Sequence, residues 1–359
     1  MSNVLHVATR KGLITFRRNG ADWAASAPAF IGQPVSAVLT DARDGALYAA
    51  LRLGHFGVKL HRSDDHGKSW SEIAAPAFPA VENPDEKTPA IDMIWTLAPS
   101  GKDELGVLWA GTIPGGLFKS PDRGATWTLN DSLWNKPERA EWAGGGYDQP
   151  GIHSVLVDPR DSKSITVGVS TGGVWRSSDA GRSWRLTGQG LRAEYMPPAQ
   201  AFDLAWQDVH RLSACAAAPD IVWCQHHNGM FRSTDGGETF SEIKEVKPSV
   251  FGFAVGAHPS DPDTAWFVPA IKDELRIPVD GKLVVTKTTD GGKSFAAHAD
   301  GLPGLSYDLI YRHSLDVSED GARLAIGSTT GNLWVSDDAG RRWSHIHGHL
   351  SPIAAVAFG

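Results

Sequence analysis

The sequence predicts an all-β chain in one domain, residues 1–359: a seven-bladed β-propeller of four-stranded antiparallel blades. Three observations predict it. A turn-like octet recurs six times at near-constant spacing, and each copy is flanked by short apolar segments. The 39 glycines and 22 prolines among 359 residues leave little room for long helices.

The octet is clearest at Ser63-Asp64-Asp65-His66-Gly67-Lys68-Ser69-Trp70, which reads S-x-D-x-G-x-x-W. It returns at Ser120–Trp127, Ser177–Trp184, Ser233–Phe240, Thr288–Phe295 and Ser336–Trp343, the closing aromatics 57, 57, 56, 55 and 48 residues apart. Such a period marks one supersecondary unit repeated. In the fourth unit, strands are predicted over Ile152–Val157, Ile165–Val169 and Val174–Ser177, with Trp184 opening the last. Four short strands in about 50 residues make a propeller blade. The octet suits the turn between third and fourth strands. Its Asp carboxylate and Ser hydroxyl accept turn N–H groups, its Gly supplies backbone freedom, and its aromatic packs between blades.

The remaining unit is split. Val4–Ala8, Gly12–Arg17 and Trp23 read as second, third and fourth strands, and Ile353–Phe358 supplies the first, so the C-terminal strand closes the ring. The octet resembles the Asp-box, or BNR repeat, of sialidase-like and sortilin-like propellers, and the resemblance spans nearly the whole chain. The chain also resembles bacterial BNR propellers labelled sialidase-like or glycosyl-hydrolase-like, which implies a shared central site without naming a reaction.

A net charge of -7 argues against gripping nucleic acid through the overall field. No apolar run approaches the roughly 18–20 residues that span a bilayer. The opening MSNVLHVATRKGLITF lacks a signal-peptide pattern, so the expected location is the cytoplasm. Cys215 and Cys224 flank a turn and are expected as buried thiols rather than a disulfide. Gly67-Lys68-Ser69 and Gly292-Lys293-Ser294 imitate a phosphate-binding loop, but both lie in octets and lack its upstream glycine.

Topology says where chemistry belongs. The octets mark one face of the disc, so the 2–3 loops and the blade-to-blade connections emerge on the other. The long segments fall there: Ala74–Asp92, Asn130–Gly151, Gly188–Asp208, Ala299–Leu309 and, within a blade, Pro269–Lys282. Aligning first strands sets Gly-Ile-His153-Ser-Val-Leu-Val over Tyr-Arg-His313-Ser-Leu-Asp-Val, with Met93, Ser213 and Phe253 at the matching positions of other blades. His153 and His313 are thus expected on opposite walls of the central channel, with His226 and His227 entering between them. Three imidazoles, His153, His226 and His313, are a ligand set for Zn, Mn or Fe, or a proton relay. Arg276 and Lys272 offer an anion clamp and Glu274 or Asp273 a general acid or base. Trp142–Pro150, with three glycines, is a candidate lid and contributes Asp148 as a carboxylate. His345, His347 and His349 read as a solvated blade edge.

Sialidases hold the substrate carboxylate with three arginines, one in an early Arg-Ile-Pro. Here Arg276-Ile277-Pro278 lies only 12 residues before the Thr288 octet, too close for two strands, so that equivalence fails and a true sialidase is not expected. Arg10, Arg52, Arg192, Arg276 and Arg312 nonetheless fall on the proper face. Two readings follow. One is a hydrolase or lyase acting on a small anionic or carbohydrate-like molecule, with His153 and His313 as acid/base or metal ligands, Arg276 and Arg312 as clamps, and Asp148 or Glu274 as carboxylate. The other is a non-catalytic disc that holds a peptide or protein, as assembly-factor and sortilin-like propellers do.

Overall fold

Each octet folds as the turn between the third and fourth strands of a blade. In the first, Ser63 Oγ accepts the Gly67 N–H at 2.9 Å and Asp65 Oδ1 accepts the Ser69 N–H at 2.9 Å, while the Ser69 hydroxyl donates to Oδ2. The two backbone N–H bonds recur at Ser120–Asp122, Ser177–Asp179, Ser233–Asp235, Thr288–Asp290 and Ser336–Asp338. Hydrogen bonds from the Ser183 and Ser294 hydroxyls and N–H groups hold the Asp179 and Asp290 carboxyls down to about 2. Two successive residues with positive φ, such as Ala180 and Gly181, make the corner.

The structure, a computed structural model, describes residues 3–81 and 87–359; part of the Ala74–Asp92 connection therefore lies outside the described residues. Its strands form seven four-stranded antiparallel sheets, six of them in chain order from the hub outward and the seventh led by the C-terminal strand. The split blade pairs Ile353–Phe358 with Val4–Thr9, followed by Gly12–Asn19 and Asp22–Ala25. The other inner strands are Val35–Thr40, Met93–Pro99, Ile152–Asp158, Val209–Cys215, Gly252–Ala257 and Leu315–Val317. Counted from the split blade, these belong to blades 2 to 7.

Seven apolar clusters fill the interfaces between neighbouring blades. Trp109, Trp175, Trp223 and Trp266 are fully buried in them. The octet aromatics close the same seams, as where Trp184 Nε1–H donates to Asn130 Oδ1 at 2.7 Å. Cys215 and Cys224 are buried free thiols. Among the described residues, no helix is long and apolar enough to cross a membrane.

Near its start, the inner strand of blades 1 to 6 carries a bulge. The pairing skips Ala354, Ser36, Trp95, His153, His210 and, in blade 6, Phe253 with Ala254. A bulge leaves a residue unpaired and re-aims its side chain. Several of these side chains stitch one blade to the next: Ser36 Oγ–H donates to the Ile94 carbonyl at 2.9 Å, His153 Nε2 to Val209 at 2.7 Å and His210 Nδ1 to Gly252 at 2.6 Å. The structural counterpart of His153 in blade 5 is therefore His210, not Ser213, since each is the bulged second residue of its inner strand.

Candidate functional site

Two joined cavities open on the face opposite the octet turns. The first, about 460 Å³, is lined by Arg10, Arg52, Arg276 and Arg312, with Trp95, Tyr147 and Tyr311 between them. Among its described lining residues there is no Asp or Glu. The second, about 700 Å³, has Asp208, His210 and His227 in its wall and Glu194, Lys272, Asp273 and Glu274 around it. Gly146, Arg276 and Arg312 border both.

Topology explains this convergence. Arg10 sits in the 2–3 loop of the split blade, Arg52 ends the second strand of blade 2, and Arg276 lies in the long 2–3 loop of blade 6. Arg312 immediately precedes the inner strand of blade 7. Arg192, the remaining candidate, is turned away into ion pairs with Glu194 and Glu242.

Arg312 is 5% exposed and stacks between two bulge side chains, its guanidinium carbon 4.9 Å from the Trp95 ring and 5.3 Å from that of Phe253. Among the described residues, its one side-chain hydrogen bond runs to the Gly145 carbonyl at 3.5 Å, and its buried Nε has no partner. Burial lowers its pKa, opposed by the Asp208 charge. Arg276 has its guanidinium carbon 5.4 Å from the centre of the Phe253 ring and is bound by Asp273. Arg52 pairs with Asp92 at 2.6 Å and lies over Tyr147.

In the second cavity Asp208 Oδ2 lies 3.2 Å from His227 Nδ1 and 3.6 Å from His210 Nε2. Burial alone would raise the Asp208 carboxyl. His210, the His227 hydrogen bond and the Arg312 charge override it and hold the group well below the usual carboxylate range. For His227 burial acts to lower the pKa, but Asp208 outweighs it and the imidazole is raised. Asp208 Oδ1 is buried beneath Gly145 with no partner among the described residues, and a Cβ on Gly145 would stand only 2.9 Å from it.

The remaining sequence-predicted residues are placed as follows. His153 is fully buried, its Nδ1 2.9 Å from Ser154 Oγ and its Nε2 2.7 Å from the Val209 carbonyl, so both ring nitrogens are engaged within the protein. His313 reaches across the channel to the His153 carbonyl at 2.8 Å. His226 is buried behind the cavity, its Nδ1 accepting the Asn228 N–H at 3.1 Å. Burial lowers His153 well below its ordinary value and takes His226 and His313 to about 3. Among the described residues, the one group of three that brings its ligand atoms within 4.8 Å is Asp208, His210 and His227; the set His153, His226 and His313 is not assembled. The physical reason is the bulge, which turns His153 sideways into the next blade.

Glu274 stands on the rim, 3.2 Å from Lys272, and hydrogen bonding to its own backbone N–H and to Lys272 lowers its pKa. Asp148 is exposed and lines neither cavity. The Trp142–Pro150 segment does not stand free: the Gly145 carbonyl accepts from Ser170 Oγ at 2.8 Å, and Ala143 N–H donates to Thr171 at 2.9 Å. It forms the partition between the cavities. Asp208 and His210 were not singled out from the sequence. The pattern Asp208-Val209-His210, an apolar residue then His as in Ile152-His153, was the available signal.

No protein-family model matches the chain. A xyloglucanase of Hypocrea jecorina is 24% identical over 259 residues, which cover 68% of this chain and 26% of that protein. A probable oligoxyloglucan-reducing end-specific xyloglucanase of Neosartorya fischeri is 33% identical over 139 residues, 36% of this chain and 14% of that protein. This chain thus spans about a quarter or less of the length of these relatives. Among solved structures, the GH74 xyloglucanase of Xanthomonas campestris superposes with a TM-score of 0.66 at 17% identity, over 96% of this chain and 53% of that one. The likeness is one of fold.

Proposed function

We propose that this chain is a carbohydrate-acting hydrolase that takes an acidic sugar, one bearing a carboxylate, in the joined cavities. The observation that carries the reading is the convergence of Arg10, Arg52, Arg276 and Arg312 on one cavity with no carboxylate among its described lining residues. Guanidinium groups match carboxylates bidentately, and a buried guanidinium gains most from such a partner. Arg312 is the centre of this clamp and Arg276 its second arm. Trp95, Tyr147 and Tyr311 offer broad apolar faces beside it, as small-molecule sites do. The xyloglucanase relatives support carbohydrate as the substrate class.

Glycoside hydrolysis takes a general acid and a base on either side of the scissile bond. Glu274, kept ionised by Lys272, suits the base at the rim of the second cavity. Asp148 has no part in this reading, and His153 and His313 act as stitches across the hub.

Calorimetric titration with a glucuronate-terminated oligosaccharide and its neutral glucose counterpart tests the reading. The acidic sugar should bind at least about 10-fold more tightly, and Arg312→Met should weaken it by about 10- to 100-fold, as loss of a charged hydrogen bond implies. Equal binding of both sugars would sink the proposal. A peptide-holding disc has one observation on its side, the exposed Tyr195, Phe202, Leu305 and Tyr307. It requires binding to which Arg312→Met is indifferent.

A further inference from the structure

Asp208, His210 and His227 are spaced so that an ion fits between them. A charge-assisted N–H···O bond closes to about 2.7–2.9 Å. Of the two contacts to Asp208 Oδ2, that of His227 Nδ1 is a long hydrogen bond at 3.2 Å, and that of His210 Nε2, at 3.6 Å, does not close. The two distances bracket the edge of a tetrahedron, about 3.3 Å, whose ligands stand roughly 2.0–2.1 Å from its centre.

The tautomer of His210 points the same way. Its Nδ1 lies 2.6 Å from the Gly252 carbonyl, which only accepts, so Nδ1 carries the proton. In the neutral ring, Nε2 then presents a lone pair toward the Asp208 carboxylate, an acceptor facing an acceptor. A cation between them removes the conflict, and a carbonyl behind the ring is the usual support of a metal-bound histidine. Asp208 Oδ1, buried and unpartnered, is a second unsatisfied oxygen in the same place.

The three side chains are also held rigidly. His210 stacks on Phe253 at 4.4 Å and 11° between planes, and His227 meets the rings of Tyr195 and Phe251 edge-on. The His227 N–H donates to the Asp208 carbonyl at 2.9 Å, closing the segment that carries two of the ligands.

We propose that Asp208, His210 and His227 bind a divalent first-row transition ion, with its remaining positions open to the 700 Å³ cavity. Two imidazoles with one carboxylate suit Zn²⁺, Fe²⁺ or Mn²⁺; Mg²⁺ and Ca²⁺ prefer oxygen alone. The nearby Arg312 guanidinium disfavours a second cation, so an anion lodged between Arg312 and the ion should tighten both. The ion site does not depend on which ligand fills the cavity.

The test is calorimetric titration of chelator-treated protein with Zn²⁺ alone, with no sugar present, so its failure and that of the sugar reading are separable. One ion per chain should bind with micromolar affinity or better. His210→Gln and His227→Gln should each weaken it by about 100-fold or more, beyond the 10–100-fold typical of outer supports, whereas exposed His345→Gln should leave it unchanged. His227 stands at the cavity wall, so its variant keeps the test valid even where His210→Gln fails to fold. No saturable binding, or binding that survives both ligand substitutions, overturns the site and leaves a plain Asp–His cluster.

Discussion

A guanidinium sandwiched between Trp95 and Phe253, with its Nε unpartnered, and an imidazole with both nitrogens engaged are opposite kinds of buried polar group. Arg312 lacks what a bound anion supplies; His153 lacks nothing, and its worth is in stability. His153→Leu should therefore cost about 2–4 kcal/mol, since it leaves the Val209 carbonyl and Ser154 hydroxyl without their buried partner, while Zn²⁺ affinity stays as it was. The same chemistry sets a pH response. His153, His226, His313 and His6, the last lowered to about 4, refuse in the fold the protons that unfolded chains accept below the ordinary 6.5. Stability is full above that pH and should decline as acid is added toward about 3. Thermal melts from pH 7.5 to 4 should show that decline, less steeply in His153→Leu; a flat profile would contradict it. The sequence placed His153 on the inner strand correctly but could not show which way it points. Whether a strand bulges is decided by its partner, and Ser36 performs the same stitch with no imidazole.

At the scale of elements, the turns were legible and the connections were not. The octet turn is held by bonds spanning two to four residues, so its residue types state its geometry outright. Ser177→Ala should strip the buried Gly181 N–H of its acceptor and cost about 1–3 kcal/mol, measurable as a lower denaturant midpoint. An unchanged midpoint would mean that the turn is held by packing of Trp184 alone. The Trp142–Pro150 segment shows the opposite case. Its three glycines suggest a hinge, but Gly145 is placed by Ser170 and Asp208, 25 and 63 positions further along the chain. Contacts of that span leave no local mark, and close approach of backbone rather than motion accounts for the residue.

For the molecule as a whole, seven blades follow from six octets and a unit completed by Ile353–Phe358. That strand lies between Val4–Thr9 and the inner strand of blade 7, and its Ile353 joins the cluster that seals blades 7 and 1. Ring geometry then gathers arginines from residues 10, 52, 276 and 312 at one mouth of the hub. Which face the 2–3 loops and blade connections share was readable from topology, since loops alternate faces along every blade. Which arginines meet was not, because convergence depends on angles around the ring. The most direct test is a crystal structure of the chain soaked with a glucuronate-terminated oligosaccharide. The sugar carboxylate should lie within hydrogen-bonding distance of the Arg312 guanidinium, with its ring beside Trp95 or Tyr147. A sugar bound at the outer rim or on the octet face, with Arg312 untouched, would contradict the account.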